Sequence, residues 1–259
     1  MGHNRLGTLP ATREWLDVVG HLADGASAAV VAGATSRAAV TGLRRGEGDP
    51  GVARAVFLLA RTALAARRDD FAAALAADGV HVPPDLSVFD LAAGLAAAAA
   101  APDPAAPGPR SDLGEMARLA AAETLTALVG DHAADLFPGG AEVHDAVRGF
   151  TTRNVFAALA HDFFARFARR FLLYHLGREL SHHVGGAGRF ADPAAHAAFV
   201  ADLDAHCREA AVIVRDYAGG WYDKNRFQQG VNREKARGFT AYALGKLRKE
   251  LAARGLDRG

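Results

Sequence analysis

Apolar residues along this chain recur at three- and four-residue steps rather than in alternation, which is the pattern of helix. The clearest stretch runs from Thr151 to Val184. Phe156, Ala160, Phe163, Phe167, Phe171 and Tyr174 form one stripe, and Phe164, Ala168, Phe171, His175, Glu179 and His182 form another beside it. Arg166, Arg169 and Arg170 fall together on a more polar side. The stretch has no proline and no glycine before Gly177. As one helix it would be about 50 Å long at ~1.5 Å per residue. Two adjoining apolar stripes need burial on two flanks, so this segment is expected to be the central helix of a bundle.

The same reading gives eight further helices. Ala11–Ala23 carries Trp15, Leu16, Val19 and Leu22 on one face, and Ser27–Leu43 follows. Asp49-Pro50 supplies a cap and a first-turn proline for a helix to about Ala77. Ser87–Ala100 comes next, then a helix from Asp112 to Val129, for which Asp112 and Glu115 form a D-x-x-E capping box. Residues 131–140 read as a loop and Ala141–Arg148 as a short helix. After the turn GGAGRFA at 185–191, Asp192-Pro193 opens a helix to about Ala218, the antiparallel partner of the central one. Gly219-Gly220 is expected to break it. A loop, WYDKNRFQQGVN, then leads to a last amphipathic helix capped by Asn232 and ending near Ala253. The fold class is therefore all-α, a bundle of about nine helices. Pro102–Arg110 (PDPAAPGPR) is the one clear linker. It divides an N-terminal helical subdomain (1–101) from a C-terminal one (111–259), or forms an exposed loop of a single domain.

Composition narrows the functional classes. The net charge of +1 predicts no general affinity for polyanions, but residues 223–259 hold ten Lys/Arg and four Asp/Glu, a local net of +6. All four lysines lie there. One cysteine, Cys207, excludes an internal disulfide framework and a Cys-rich zinc site. The first residues have no apolar core like that of a signal peptide, and the longest apolar run, Leu91–Ala101, is short of the about 20 residues that span a bilayer. A cytoplasmic location without membrane contact is expected, and the Ala/Arg/Gly-rich wording is that of a high-GC bacterial genome.

Four constellations carry candidate chemistry. Arg170 to His175 and Arg178 to His183 both fit R-x4-H, which resembles the catalytic pair of HEPN ribonucleases, a helical family. The resemblance covers one helix, with Phe171 where the family usually has a polar residue. It implies a metal-free attack on RNA, in which His moves a proton and Arg stabilises the phosphorane, usually across a dimer. Secondly, His175, Glu179 and His182 share a helix face, and Glu179-x-x-His182 has the spacing used in di-metal helical bundles. If the chain turns near Gly188, His196 comes opposite His182 and Asp202 near His175, a nitrogen/oxygen set for a divalent Zn, Fe or Mn ion. Thirdly, His161-Asp162 is an HD dipeptide like that of HD phosphohydrolases. Fourthly, Trp221, Lys224 and Arg226 interleave aromatic and basic groups, and Arg233, Lys235, Arg237, Lys246, Arg248 and Lys249 follow on a helix. Phosphate contacts and base stacking use these residue types, and an acidic protein would be served by the same surface. The chain is thus expected to be an accessory or regulatory protein that binds nucleic acid, a protein partner or a second copy of itself. The enzymatic alternative is a ribonuclease or metal-dependent phosphoester hydrolase at the His175 end.

Overall fold

The computed structural model describes residues 9–102, 110–132, 139–186, 188–227 and 230–254. Among these, all the regular structure is helical, in eleven helices. They are α1 (Arg13–Ala23), α2 (Ala28–Ala38), α3 (Val40–Gly48), α4 (Pro50–Ala65), α5 (Phe71–Ala76), α6 (Val88–Ala100), α7 (Asp112–His132), α8 (Gly140–Gly149), α9 (Arg153–His182), α10 (Pro193–Phe227) and α11 (Arg233–Arg254).

Local chemistry sets the ends of these helices. Asp49, Asp192 and Asn232 accept hydrogen bonds from the amides of Val52, Ala195 and Lys235, as the sequence predicts. Ser87 and Asp90 form a reciprocal capping box at α6. At α7 the expected Asp112/Glu115 box is replaced by Ser111, whose hydroxyl accepts from the Gly114 amide, while Glu115 pairs with Arg118.

The helix count rises to eleven for two reasons. The predicted helix at 27–43 divides at Ala39 (φ −94°, ψ 16°), and the second part runs on to Gly48. There Gly42 and Gly46 let α3 sit against the rings of Phe171 and Phe167 and the side chain of Leu244. The predicted helix at 49–77 ends at Ala65, because the exposed run Arg67–Asp70 cannot be buried, and Asp70 caps a new short helix. The largest correction concerns Gly219-Gly220. They do not break the chain: α10 continues through them to Phe227, and the predicted loop 221–232 is mostly its last two turns. Linker residues 103–109, loop residues 133–138 and Gln228-Gln229 lie outside the described residues.

α9 sits at the centre. It packs most extensively on α10, and also on α7 and α2. Phe156, Phe163, Phe164, Phe167, Phe171, Leu172 and Leu176 are all buried, so both stripes are covered along their aromatic part, while His182 at the end of the second is exposed. Along α10, Tyr222 stacks on Phe156, Arg208 meets Asp162 and Asp204 meets Arg169. The contact positions thus descend along α10 as they rise along α9. One cluster of buried side chains includes residues from both sides of 102–110.

Candidate functional site

At the polar end of α9 the described side chains engage different neighbours. His175 lies within 5.0–5.2 Å, centroid to centroid, of the rings of Trp15, Phe171 and Tyr174. Burial lowers its pKa, so the imidazole is held neutral. Arg170, five residues earlier, faces another flank and pairs with Glu123 of α7. Residues five apart on a helix stand about 140° apart, so an R-x4-H pair diverges unless the helix bends. Arg178 is exposed, and His183 ends α9 with its carbonyl accepting from the Phe190 amide at 2.9 Å. Of the set Arg170, His175, Arg178 and His183, the first two therefore face different neighbours.

The predicted ligands His175, Glu179, His182, His196 and Asp202 are also dispersed. His182 is exposed and lies 3.9 Å from Glu179, while His196 packs edge-on against Phe190. Asp202 is exposed on α10. Among the described residues no three His, Cys, Asp or Glu side chains are placed to hold a metal ion.

The HD dipeptide belongs to an ion network. His161 donates from Nε2 to the Arg208 carbonyl at 2.8 Å. Asp162, 7% exposed, accepts from Thr124 Oγ1 at 2.8 Å, Arg166 Nε at 2.5 Å and Arg208 at 3.0 Å. Burial alone would raise its pKa, but the hydrogen bond and charge of Arg166, then Thr124 and Arg208, outweigh that and hold it below the usual carboxylate range. Arg208 also donates to Asp204 at 3.0 Å, and Arg169 stands 3.6 Å from Asp204. This network was only partly legible in the sequence. The stripe of Arg166, Arg169 and Arg170 and the i,i+4 pair Asp204/Arg208 were its signals; the contribution of Glu123 and Thr124 from α7 had none.

The C-terminal basic region divides into committed and outward residues. Trp221 is half-buried and stacks on Phe239 at 4.3 Å, and Tyr222 is fully buried against Phe156 at 3.9 Å. These two rings are therefore core groups and no stacking platform. Arg226 donates to the Thr151 carbonyl and pairs with Asp223, Lys235 donates to the Gly230 carbonyl, and Arg248 pairs with Glu47 of α3 at 3.0 Å. Lys246 lies over the exposed Tyr242 ring. Lys224, Arg233, Arg237 and Lys249 are exposed. Cys207 is buried, and desolvation raises its thiol pKa so that no thiolate nucleophile forms. No helix among the described residues is long and apolar enough to cross a membrane.

No protein-family model, curated protein or solved structure matches this chain.

Proposed function

We propose that this chain is a helical accessory or regulatory protein that holds a negatively charged macromolecule, a nucleic acid or an acidic protein, on the outward side of α11 and the adjoining α3. The observation that carries the proposal is the division of α11. Ala236, Phe239, Ala243, Leu244, Leu247 and Leu251 bury one side in the core. The helix holds seven Lys/Arg against two Glu, and Arg237 and Lys249 lie exposed, while Arg233 at its start lies over the ring of Phe57. α3, which packs on α11, exposes Arg44 and Arg45. A surplus of cations on one surface draws polyanions and weakens with salt. Since Trp221 and Tyr222 pack on Phe239 and Phe156, the proposed contact rests on the charge of this surface, where Tyr242 is the exposed ring.

The test is fluorescence anisotropy with two labelled probes at low salt, a single-stranded RNA 20-mer and a peptide rich in Glu and Asp. The expected result is saturable binding of at least one probe, at least tenfold weaker for the double variant Arg237→Glu/Lys249→Glu, with affinity falling as salt rises. Both positions are exposed, so circular dichroism of the variant should be unchanged. Binding of neither probe, or binding indifferent to the double reversal, overturns the proposal.

A further inference from the structure

A cleft of about 390 Å³ opens between α7, α9 and α10, on residues that the proposed contact surface does not use. Its charged lining is Arg166, Arg169 and Arg208 with Glu123 and Asp204. Ala197 and Ala201, both exposed on α10, leave the room that longer side chains would fill.

We infer that this cleft binds a small phosphate-type oxyanion through the guanidinium groups of Arg166, Arg169 and Arg208. The first support is charge. Four guanidiniums (Arg170 included) share three carboxylates, those of Glu123, Asp162 and Asp204, so one positive charge is in surplus. The second is the inequality of the pairs. Asp162 is engaged by Thr124, Arg166 and Arg208, Asp204 by Arg208, and Glu123 by Arg170, all in hydrogen bonds of 3.0 Å or less. The loose contacts are Arg169 to Asp204 at 3.6 Å and Arg166 to Glu123 at 3.8 Å, and both residues line the cleft. The third is orientation. The Nε atoms of Arg166 and Arg208 are each tied to a carboxylate, and Arg208 Nη1 donates to Asp162, which fixes the plane of each guanidinium while leaving Nη2 for a further acceptor. Fixed guanidinium forks bind phosphate bidentately, and the ordering cost has been met in advance. Glu123 and Asp204 stand on the same rim and favour a compact anion over an extended polyanion.

Isothermal titration calorimetry of the full chain with inorganic phosphate and with glycerol phosphate tests this inference. Two variants keep it falsifiable. Arg169→Gln removes the most loosely held guanidinium, and Ala201→Glu places a carboxylate in the cleft from an exposed helical position. The expected result is saturable one-to-one binding, weakened at least tenfold by each variant and unchanged by Arg237→Glu/Lys249→Glu. Preference for glycerol phosphate identifies an ester as the ligand, and equal affinity shows that the phosphate group suffices. No saturable heat up to about 20 mM, where affinity would be negligible, overturns the inference. So does binding that survives Arg169→Gln and Ala201→Glu, or that is lost equally in the α11 double reversal.

Discussion

Neighbouring glycines at 219 and 220 respond to alanine with opposite signs if α10 runs unbroken across the first turn of α9. A Cβ built on Gly219 comes 2.6 Å from the Arg153 carbonyl oxygen and 2.7 Å from Arg153 Cγ. The carbonyl belongs to the first residue of α9 and cannot swing aside as a flexible side chain would. Two contacts under 3.0 Å, one of them with backbone, put the overpacking cost in the upper part of the usual range, about 2–3 kcal/mol, because relief requires the two helices to separate. Better helix propensity returns about 1 kcal/mol, leaving Gly219→Ala destabilised by about 1–2 kcal/mol. At Gly220 the nearest atom to such a Cβ is a terminal nitrogen of Arg153 at 3.9 Å, an ordinary contact. Neither glycine has a positive φ. Gly220→Ala therefore keeps the propensity term and is stabilised by about 1 kcal/mol. For a chain of this size, 1 kcal/mol moves Tm by about 2–4 °C. Thermal unfolding followed by circular dichroism should place the two variants on opposite sides of the parent, separated by roughly 5 °C or more. Shifts of the same sign, or a neutral Gly219→Ala, would put these glycines in an open turn and refute the continuous helix.

Three more expectations concern stability. Among the described residues the buried hydroxyl of Tyr222 has no hydrogen-bond partner, while its ring stacks on Phe156 at 3.9 Å; Tyr222→Phe should stabilise by about 1 kcal/mol in urea titrations, and Tyr222→Ala should cost about 3 kcal/mol or more. Asp162→Ala leaves Arg166 and Arg208 without their shared carboxylate. Since those arginines are 21% and 40% exposed, the loss should be about 2–3 kcal/mol, below the value for a fully buried pair. The folded pKa of Asp162 is lowered, so its contribution is whole above the unfolded value of about 4 and fades as pH falls through the folded value; the Asp162→Ala deficit measured by urea titration should shrink in that acid range. His175 has a folded pKa below its unfolded value of about 6.5, so its neutral fit is fully effective above that pH and becomes a burden as pH falls below it. His175→Phe should flatten the decline of Tm between pH 7 and pH 5, and an unchanged decline would contradict the neutral assignment.

Helix was legible because its signals are local. Asp49-Pro50, Asp192-Pro193 and Asn232 act through their own first turns, and the aromatic period of 156–174 reports a buried face wherever the partner lies. Misreadings arose where tertiary packing overrode local preference. Gly219-Gly220 reads as a break, yet the first of the pair is the close crossing with Arg153, and burial of Tyr222 beyond it holds the helix together. The candidate sites were harder, because each depends on register. Spacing along α9 put His175, Glu179 and His182 on one face, but only the seating of α10 determines whether Asp202 reaches them, and it leaves Asp202 exposed. Charge in the tail was visible as a count, whereas the division between Arg248, paired with Glu47, and the outward Arg237 and Lys249 needed the neighbouring helix.

If α11 is the contact surface, a bound polyanion should leave its mark there. Hydrogen exchange of the full chain, with and without whichever anisotropy probe binds more tightly, measures this directly. The expected result is slower exchange along α11 and α3, with 175–183 at the end of α9 unchanged. Protection confined to the His175–His183 end, with α11 unaffected, would contradict the assignment.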